Sequence, residues 1–446
     1  MTKIYRFARL GCALSVLIML ITIGPTFAQD AITVTDANGE EVTIEDTSRI
    51  ITIDGSITEI VFALGMGDQV VARDDSSLYP SVVEDLESVG YVRRLSAEPV
   101  LALDPTLIIT STSVGPVEAV EQLEASGVTF LVLPSPTDVA GVIDNIQTIA
   151  AALDKETEGE SLVQTIETDY ATAQALLDEQ VETTPRVMFI YARGAGAVTV
   201  AGTNTSANEM IELAGAENAI TEFEDFQPIT AEAVVTAAPD VILMMTNGLE
   251  SLGGIDGLLE QPGIVQTPAG ENRRIVAMED LYLLGFSTRI GTAVLDLTYL
   301  LHEEVEPPIL TILRADGRFN TLLRGITIAG QADLLNSASD FTIFAPTDEA
   351  FEEAFPPEVL EGFFGSAISV QATLSGHILD ETYMAEDLAA LDGEMVETLL
   401  PDTFITVTVD DEGILLNGSV PVIEADQITA NGVIHVIDGL LLPERP

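Results

Sequence analysis

Short β-branched runs alternate with helical stretches over most of this chain. The runs Arg49–Ile53, Leu107–Thr110, Thr129–Leu133, Arg186–Tyr191, Val241–Met245 and Ile275–Met278 mostly lack apolar/polar alternation, as strands covered on both faces do. Helical stretches such as Val117–Ser126 and Val139–Leu153 lie between them, and this alternation predicts an α/β fold with parallel sheets. A longer helical stretch, residues 156–182, contains no strand and separates two lobes, residues 31–153 and 184–302. The junction HEEVEPP (His302–Pro308) reads as a short stiff linker, because proline blocks helix continuation. Beyond it, residues 307–446 read as α+β. Phe341–Thr347 is a strand and turn, Asp348 caps or opens a helix, Ile405–Val409 alternates cleanly, and Asn431-Gly432 is a turn signal before the last strand.

The two lobes echo each other. Leu95–Thr110 (LSAEPVLALDPTLIIT) and Ile229–Met244 (ITAEAVVTAAPDVILM) share a Ser/Thr-Ala-Glu triplet, a valine two residues on and a proline seven residues on. Ser96 and Thr230 are N-cap residues, and Glu98 and Glu232 fall in the first helical turn, where the helix dipole favours an acid. The matched triplets favour duplication over coincidence. Two α/β lobes joined by one helix form a clam, and ligands favour clefts of that kind.

The N-terminus changes the setting. Lys3, Arg6 and Arg9 precede an apolar run, Ala13–Ile23, then Pro25 and Ala28, as in a secretory signal over residues 1–28. Retention as an N-terminal anchor is the alternative. Cys12 is the single cysteine and precedes the apolar run, the wrong place for lipid modification. A chain cleaved near Ala28 has no thiol chemistry. The balance of 72 acidic against 17 basic residues, a formal net charge of −55, opposes binding to nucleic acid or anionic lipid. The acids are spread along the chain, as on a surface suited to high salt or as in plain lineage composition. Nucleophile–base signatures such as G-x-S-x-G and H-E-x-x-H are absent, which argues against an enzyme.

Four segments, Arg49–Gly65 (RIITIDGSITEIVFALG), Ser88–Leu103 (SVGYVRRLSAEPVLAL), Val200–Gly215 (VAGTNTSANEMIELAG) and Gly285–Asp296 (GFSTRIGTAVLD), resemble the periplasmic haem-binding proteins of ABC importers. The resemblance covers nearly all of residues 45–302. It implies two Rossmann-like lobes on a single connecting helix and haem as the transported ligand, with no catalytic cofactor. The first segment is shared with siderophore and cobalamin binders, so those cargoes stay open. In the family, the tyrosine of GY-x-R ligates the haem iron and the arginine supports it. The matching residues are Tyr91 and Arg93, with Arg94 a substitute.

The chemistry agrees. Ferric haem takes a histidine, cysteine, methionine or tyrosine donor, and residues 31–301 hold no histidine or cysteine. A phenol with a pKa near 10 binds iron as phenolate, which the metal and a nearby guanidinium both favour. In an extended loop, residues 91 and 93 point the same way. Tyr79, Tyr191, Arg193, Tyr282 and Arg289 are further cleft candidates. Some members of the family take a second haem, held partly by a histidine of the second lobe; here the first histidine is His302, at the linker, which argues against a second haem. In relatives one acid per lobe docks on arginines of the permease dimer, and Glu98 and Glu232 occupy those positions.

Residues 307–446 resemble a fasciclin domain through Phe341–Phe351 (FTIFAPTDEAF), Ser375–Leu379 (SGHIL) and Gly432–Pro443 (GVIHVIDGLLLP). Gly376 stands where that family usually has a tyrosine. The resemblance implies contact with a protein or glycan, hence tethering or adhesion. His377 and His435 invite a metal or haem reading, but a core or hydrogen-bond network is the expectation. The competing class is an extracellular adhesin whose α/β part is a scaffold.

Overall fold

A computed structural model describes residues 31–442 apart from 195–197, 229, 338–339 and 411–412. The secretory segment 1–28 and Cys12 lie outside the described residues.

The first sheet is parallel throughout, in the order Glu87–Ser88, Val70–Arg73, Ile50–Ile53, Leu107–Ser111, Thr129–Leu133. Its strands Ile50–Ile53 and Leu107–Ser111 are buried at every position, which is why they show no alternation. An antiparallel hairpin, Ile32–Thr35 with Glu41–Ile44, precedes it. Two alternating runs around the Asn38-Gly39 turn encode this hairpin.

The second sheet is mixed, not purely parallel. Arg186–Ala192, Val241–Met245 and Ile275–Met278 run parallel, while Val198–Ala201 and Phe226–Pro228 add antiparallel strands at one edge. The short, polar-flanked strand Phe226–Pro228 carries no apolar run to betray it.

The connecting helix spans Glu156–Gln180, 25 residues, or about 37 Å at 1.5 Å per residue. Its buried positions Gly159, Ile166, Ala173 and Leu176 form a stripe at helical spacing. The closing helix Ile290–Leu301 packs on this stripe, so closely that a Cβ on Gly291 would lie 2.5 Å from the Ile166 carbonyl oxygen. One continuous apolar core runs through the helix and both lobes, from Ile57 and Ile146 to Phe189 and Leu297.

The C-terminal part contains a seven-stranded sheet in which Phe341–Pro346 and Gly432–Ile437, second and third in the strand order, pair in parallel over six residues. Both are fully buried. Gly432, at φ 145°, approaches so near that a Cβ would lie 2.0 Å from the Phe341 carbonyl oxygen, so glycine alone fits there. Thr347 caps the next helix through Ala350 N–H. Asp348 opens that helix and accepts from Thr321 N–H at 2.7 Å.

The junction contains no free stretch. His302 is buried, with Nε2 2.8 Å from the Ala214 carbonyl oxygen, and Pro308 caps the helix Ile309–Asp316. That helix docks back on the lobes. Arg314 grips the fully buried Asp296 with two contacts of 2.7 Å, and Thr311 donates to the same carboxylate at 2.6 Å. Glu279 N–H donates to the Ala315 carbonyl at 2.9 Å.

Candidate functional site

A cavity of about 970 Å³ opens beyond the carboxyl ends of both lobe sheets, where open α/β sheets place their ligands. Tyr91, Arg93 and Arg94 line it from the first lobe, and Tyr191, Arg193, Phe226 and Met245 from the second.

Backbone pairing fixes the Tyr91 loop on both sides. Gly90, at φ 98°, allows the chain to turn out of its strand. The Gly90 carbonyl accepts from Asp75 N–H at 3.0 Å, and the Val92 carbonyl accepts from Gly115 N–H of the next loop at 3.0 Å. Beneath lies a buried carboxylate network. Asp74 is fully buried and accepts from Asp54 N–H at 2.9 Å, Ser77 Oγ at 2.7 Å, Ser76 Oγ at 2.6 Å and Val92 N–H at 3.3 Å. The last bond ties the peptide after Tyr91 to the sheet. Asp54, in an unfavourable backbone geometry at φ 101°, accepts from Ser56 and Ser113 hydroxyls at 2.9 and 2.8 Å. The network holds a non-glycine residue in strained backbone.

The expected extended loop is corrected in one respect. Tyr91 is extended, but Val92–Arg94 forms a single 3₁₀ turn, so strand-like i, i+2 alignment does not apply. Tyr91 and both arginines nevertheless line the same cavity. Tyr91 is half-buried, and Arg93 and Arg94 are exposed.

On the opposite wall, Tyr191 and Phe226 meet edge to face at 5.9 Å, and Arg193 Cζ lies 5.7 Å from the Tyr191 ring centroid. Asp280 joins this wall. Burial pushes its carboxyl up, against the pull of Asn247 and Arg193. Phe226, Met245 and Asp280 line the cavity although nothing local in the sequence marks them as cavity residues.

Tyr79, Tyr282 and Arg289 do not line this cavity, which corrects their candidacy for the cleft. Arg289 instead makes a bidentate pair with Glu59 at 2.9 and 3.1 Å, with its guanidinium 3.8 Å over the Tyr79 ring. Glu59 is 2% exposed and also accepts from the Thr288 hydroxyl at 2.6 Å. The first lobe's opening helix is thus bolted to the closing helix. The Tyr282 hydroxyl donates to Asp296 at 2.6 Å. Burial and then Asp296 hold that phenol well above its ordinary range, so it stays neutral.

Glu98 and Glu232 are both exposed, one on each lobe, at the second position of helices Ala97–Leu101 and Ala231–Ala237. The echoed units share a backbone signature: Asp104 and Ala238, each just before the shared proline, are both left-handed at φ 46° and 43°.

The histidines of the C-terminal part lie in hydrogen-bond networks. His377 Nε2 accepts from Leu441 N–H at 2.9 Å and Nδ1 donates to the Thr373 carbonyl at 2.8 Å. His435 lies 2.8 Å from the Tyr383 carbonyl. Among the described residues no group of three or more metal-ligating side chains forms a metal site. Burial pushes His377 down to about 4. Between the ordinary value and this one, the unfolded chain binds a proton that the folded chain refuses, so stability falls with pH. Its share is complete above pH about 6.5 and is expected to shrink by about 3 kcal/mol as pH drops to about 4. Urea unfolding from pH 7 to 4 checks this: His377→Gln should flatten the slope, and an equal slope in both proteins would refute it.

A two-lobed body with a cavity at the sheet ends, entered by loops of both lobes, defines a ligand-capturing protein. Residues 50–281, more than half of the chain, match the periplasmic binding protein family, and residues 317–443 match the fasciclin domain. The chain therefore belongs to the periplasmic binding protein family and carries a fasciclin domain. It is similar to the periplasmic heme-binding protein RhuT from Roseiflexus sp. RS-1, with 42% identity, a TM-score of 0.56, and 58% of this chain and 99% of that one covered. An ABC transporter substrate-binding lipoprotein of Bacillus subtilis is 29% identical over 49% of this chain and 70% of its own length. A vitamin B12-binding protein of Vibrio campbellii is 27% identical over 46% of this chain and 73% of its own. The family is one of solute-binding transport proteins rather than enzymes. No helix among the described residues is long and apolar enough to cross a membrane.

Proposed function

We propose that this protein captures haem outside the cytoplasm and delivers it to an ABC importer. The observation that carries the reading is the convergence of Tyr91, Arg93 and Arg94 on one inter-lobe cavity with an aromatic second wall. Tyr91 supplies a phenolate to ferric iron, Arg93 stabilises it, and Arg94 and Arg193 meet the propionates. The haem-binding neighbour of high identity supports this cargo. The vitamin B12-binding relatives favour a corrinoid instead. Titration with hemin and with cyanocobalamin separates the two: a shifted Soret band at stoichiometric hemin is expected, and cobalamin uptake without hemin uptake would reverse the assignment.

Glu98 and Glu232 dock the lobes on arginines of a two-fold permease, where rim charges set register and on-rate. Replacing both with alanine is expected to leave hemin affinity unchanged and to lower transport about tenfold in a reconstituted importer. Unchanged transport removes the assignment. The fasciclin domain tethers the cargo domain to a protein or glycan partner at the cell surface.

A further inference from the structure

We propose that Phe226 is a specificity-determining residue of the cleft, giving a flat tetrapyrrole a stacking wall that a corrinoid or globular siderophore cannot use. This deepens the haem reading and rests on it. Phe226 is 42% exposed, yet it lines the cavity from the edge strand Phe226–Pro228. Two neighbours pin its ring: Tyr191 at 5.9 Å and the fully buried Phe189 at 6.4 Å, crossing at 63° and 72°. An apolar ring left half open to solvent but locked by two others is preorganised for a ligand, because little side-chain freedom remains to be lost on binding.

Charge narrows the ligand class. The chain has 17 basic residues against 72 acidic ones, yet in this one cavity three arginines, Arg93, Arg94 and Arg193, outnumber the two acids, Asp75 and Asp280. Arg193 lies against the Tyr191 ring, at the border of the aromatic wall. An aromatic wall bordered by guanidiniums suits a planar π-system with carboxylates at its edge. A porphyrin dicarboxylate has that form. A corrinoid carries groups above and below its ring and mostly neutral amides around it, so it neither lies flat on Phe226 nor uses the guanidiniums.

Metal-free protoporphyrin IX tests the wall apart from the iron bond. The full chain is titrated with hemin, protoporphyrin IX and cyanocobalamin, following Soret absorbance and porphyrin fluorescence. Phe226→Ala is expected to weaken hemin and protoporphyrin IX alike by about tenfold, from the strength of aromatic stacking. Phe226→Tyr should bind as the native chain does. Phe226→Leu, which keeps the apolar bulk of the edge strand, should weaken both ligands as alanine does. Tyr91→Ala should weaken hemin and spare protoporphyrin IX. If Phe226→Ala or Phe226→Leu binds protoporphyrin IX with native affinity, the stacking wall is overturned, while a hemin loss in Tyr91→Ala keeps the haem reading standing. If the native chain takes cyanocobalamin as tightly as hemin, the discrimination is overturned. If it takes neither tetrapyrrole, the haem reading falls with it.

Discussion

Tyr91→Ala is expected to weaken hemin binding about a thousandfold, because it removes the iron's only protein donor in the proposed site. Loss of a residue that merely supports a metal ligand costs ten- to a hundredfold, so loss of the ligand itself should exceed that, at about 4 kcal/mol. The remaining affinity comes from the apolar cavity and its guanidiniums. Tyr91→Phe separates the two contributions, since it keeps the ring and removes the oxygen. It should behave like alanine in the Soret band and fall between alanine and the native chain in affinity. Arg93→Ala should stay in the ten- to hundredfold range. Hemin titrations with unchanged midpoint and band shape in Tyr91→Phe would place the iron donor elsewhere, Tyr191 and Met245 being the other side chains of donor type on the cavity wall.

Asp296→Ala is expected to cost about 4 kcal/mol of stability, the range for removing one partner of a buried ion pair. Asp296 is fully buried and receives Arg314, Thr311 and the Tyr282 hydroxyl. Truncation leaves a guanidinium and two hydroxyls without their acceptor at the seam between the lobes and the fasciclin domain. Guanidinium unfolding should therefore show two separated transitions in place of one, with the junction 302–308 newly open to protease. Replacing Asp296 and Arg314 together with leucine and methionine should recover most of the loss, because apolar residues of similar volume often substitute for a buried pair. A single unshifted transition in Asp296→Ala would show that the seam contributes little.

Much of the fold was legible because its strands are covered on both faces. Uninterrupted runs such as Val241–Met245 and Thr129–Leu133 match their observed bounds. The connecting helix declared itself by length. The edge strands of the second sheet did not, since Phe226–Pro228 is short and exposed. The candidate site was most legible where its residues share one loop, as Tyr91, Arg93 and Arg94 do; Tyr191 and Arg193 stood among a wider set of candidates. Residue type could not separate Tyr191, on the cavity wall, from Tyr282, sealed under Asp296. That difference is made by partners far along the chain, as when Arg289 finds Glu59 across 230 positions. Nor could proline and charge in HEEVEPP reveal that the helix after it folds back onto the lobes.

The loop from Asp75 to Ser81 faces two ways. Asp75, Ser76 and Leu78 border the inter-lobe cavity, while Tyr79, Pro80 and Ser81 border a smaller void of about 380 Å³ against Leu310 and Leu323 of the C-terminal part. One loop thus ties the rim of the inter-lobe cavity to the C-terminal domain, so any force that reorients that domain turns the opening with it.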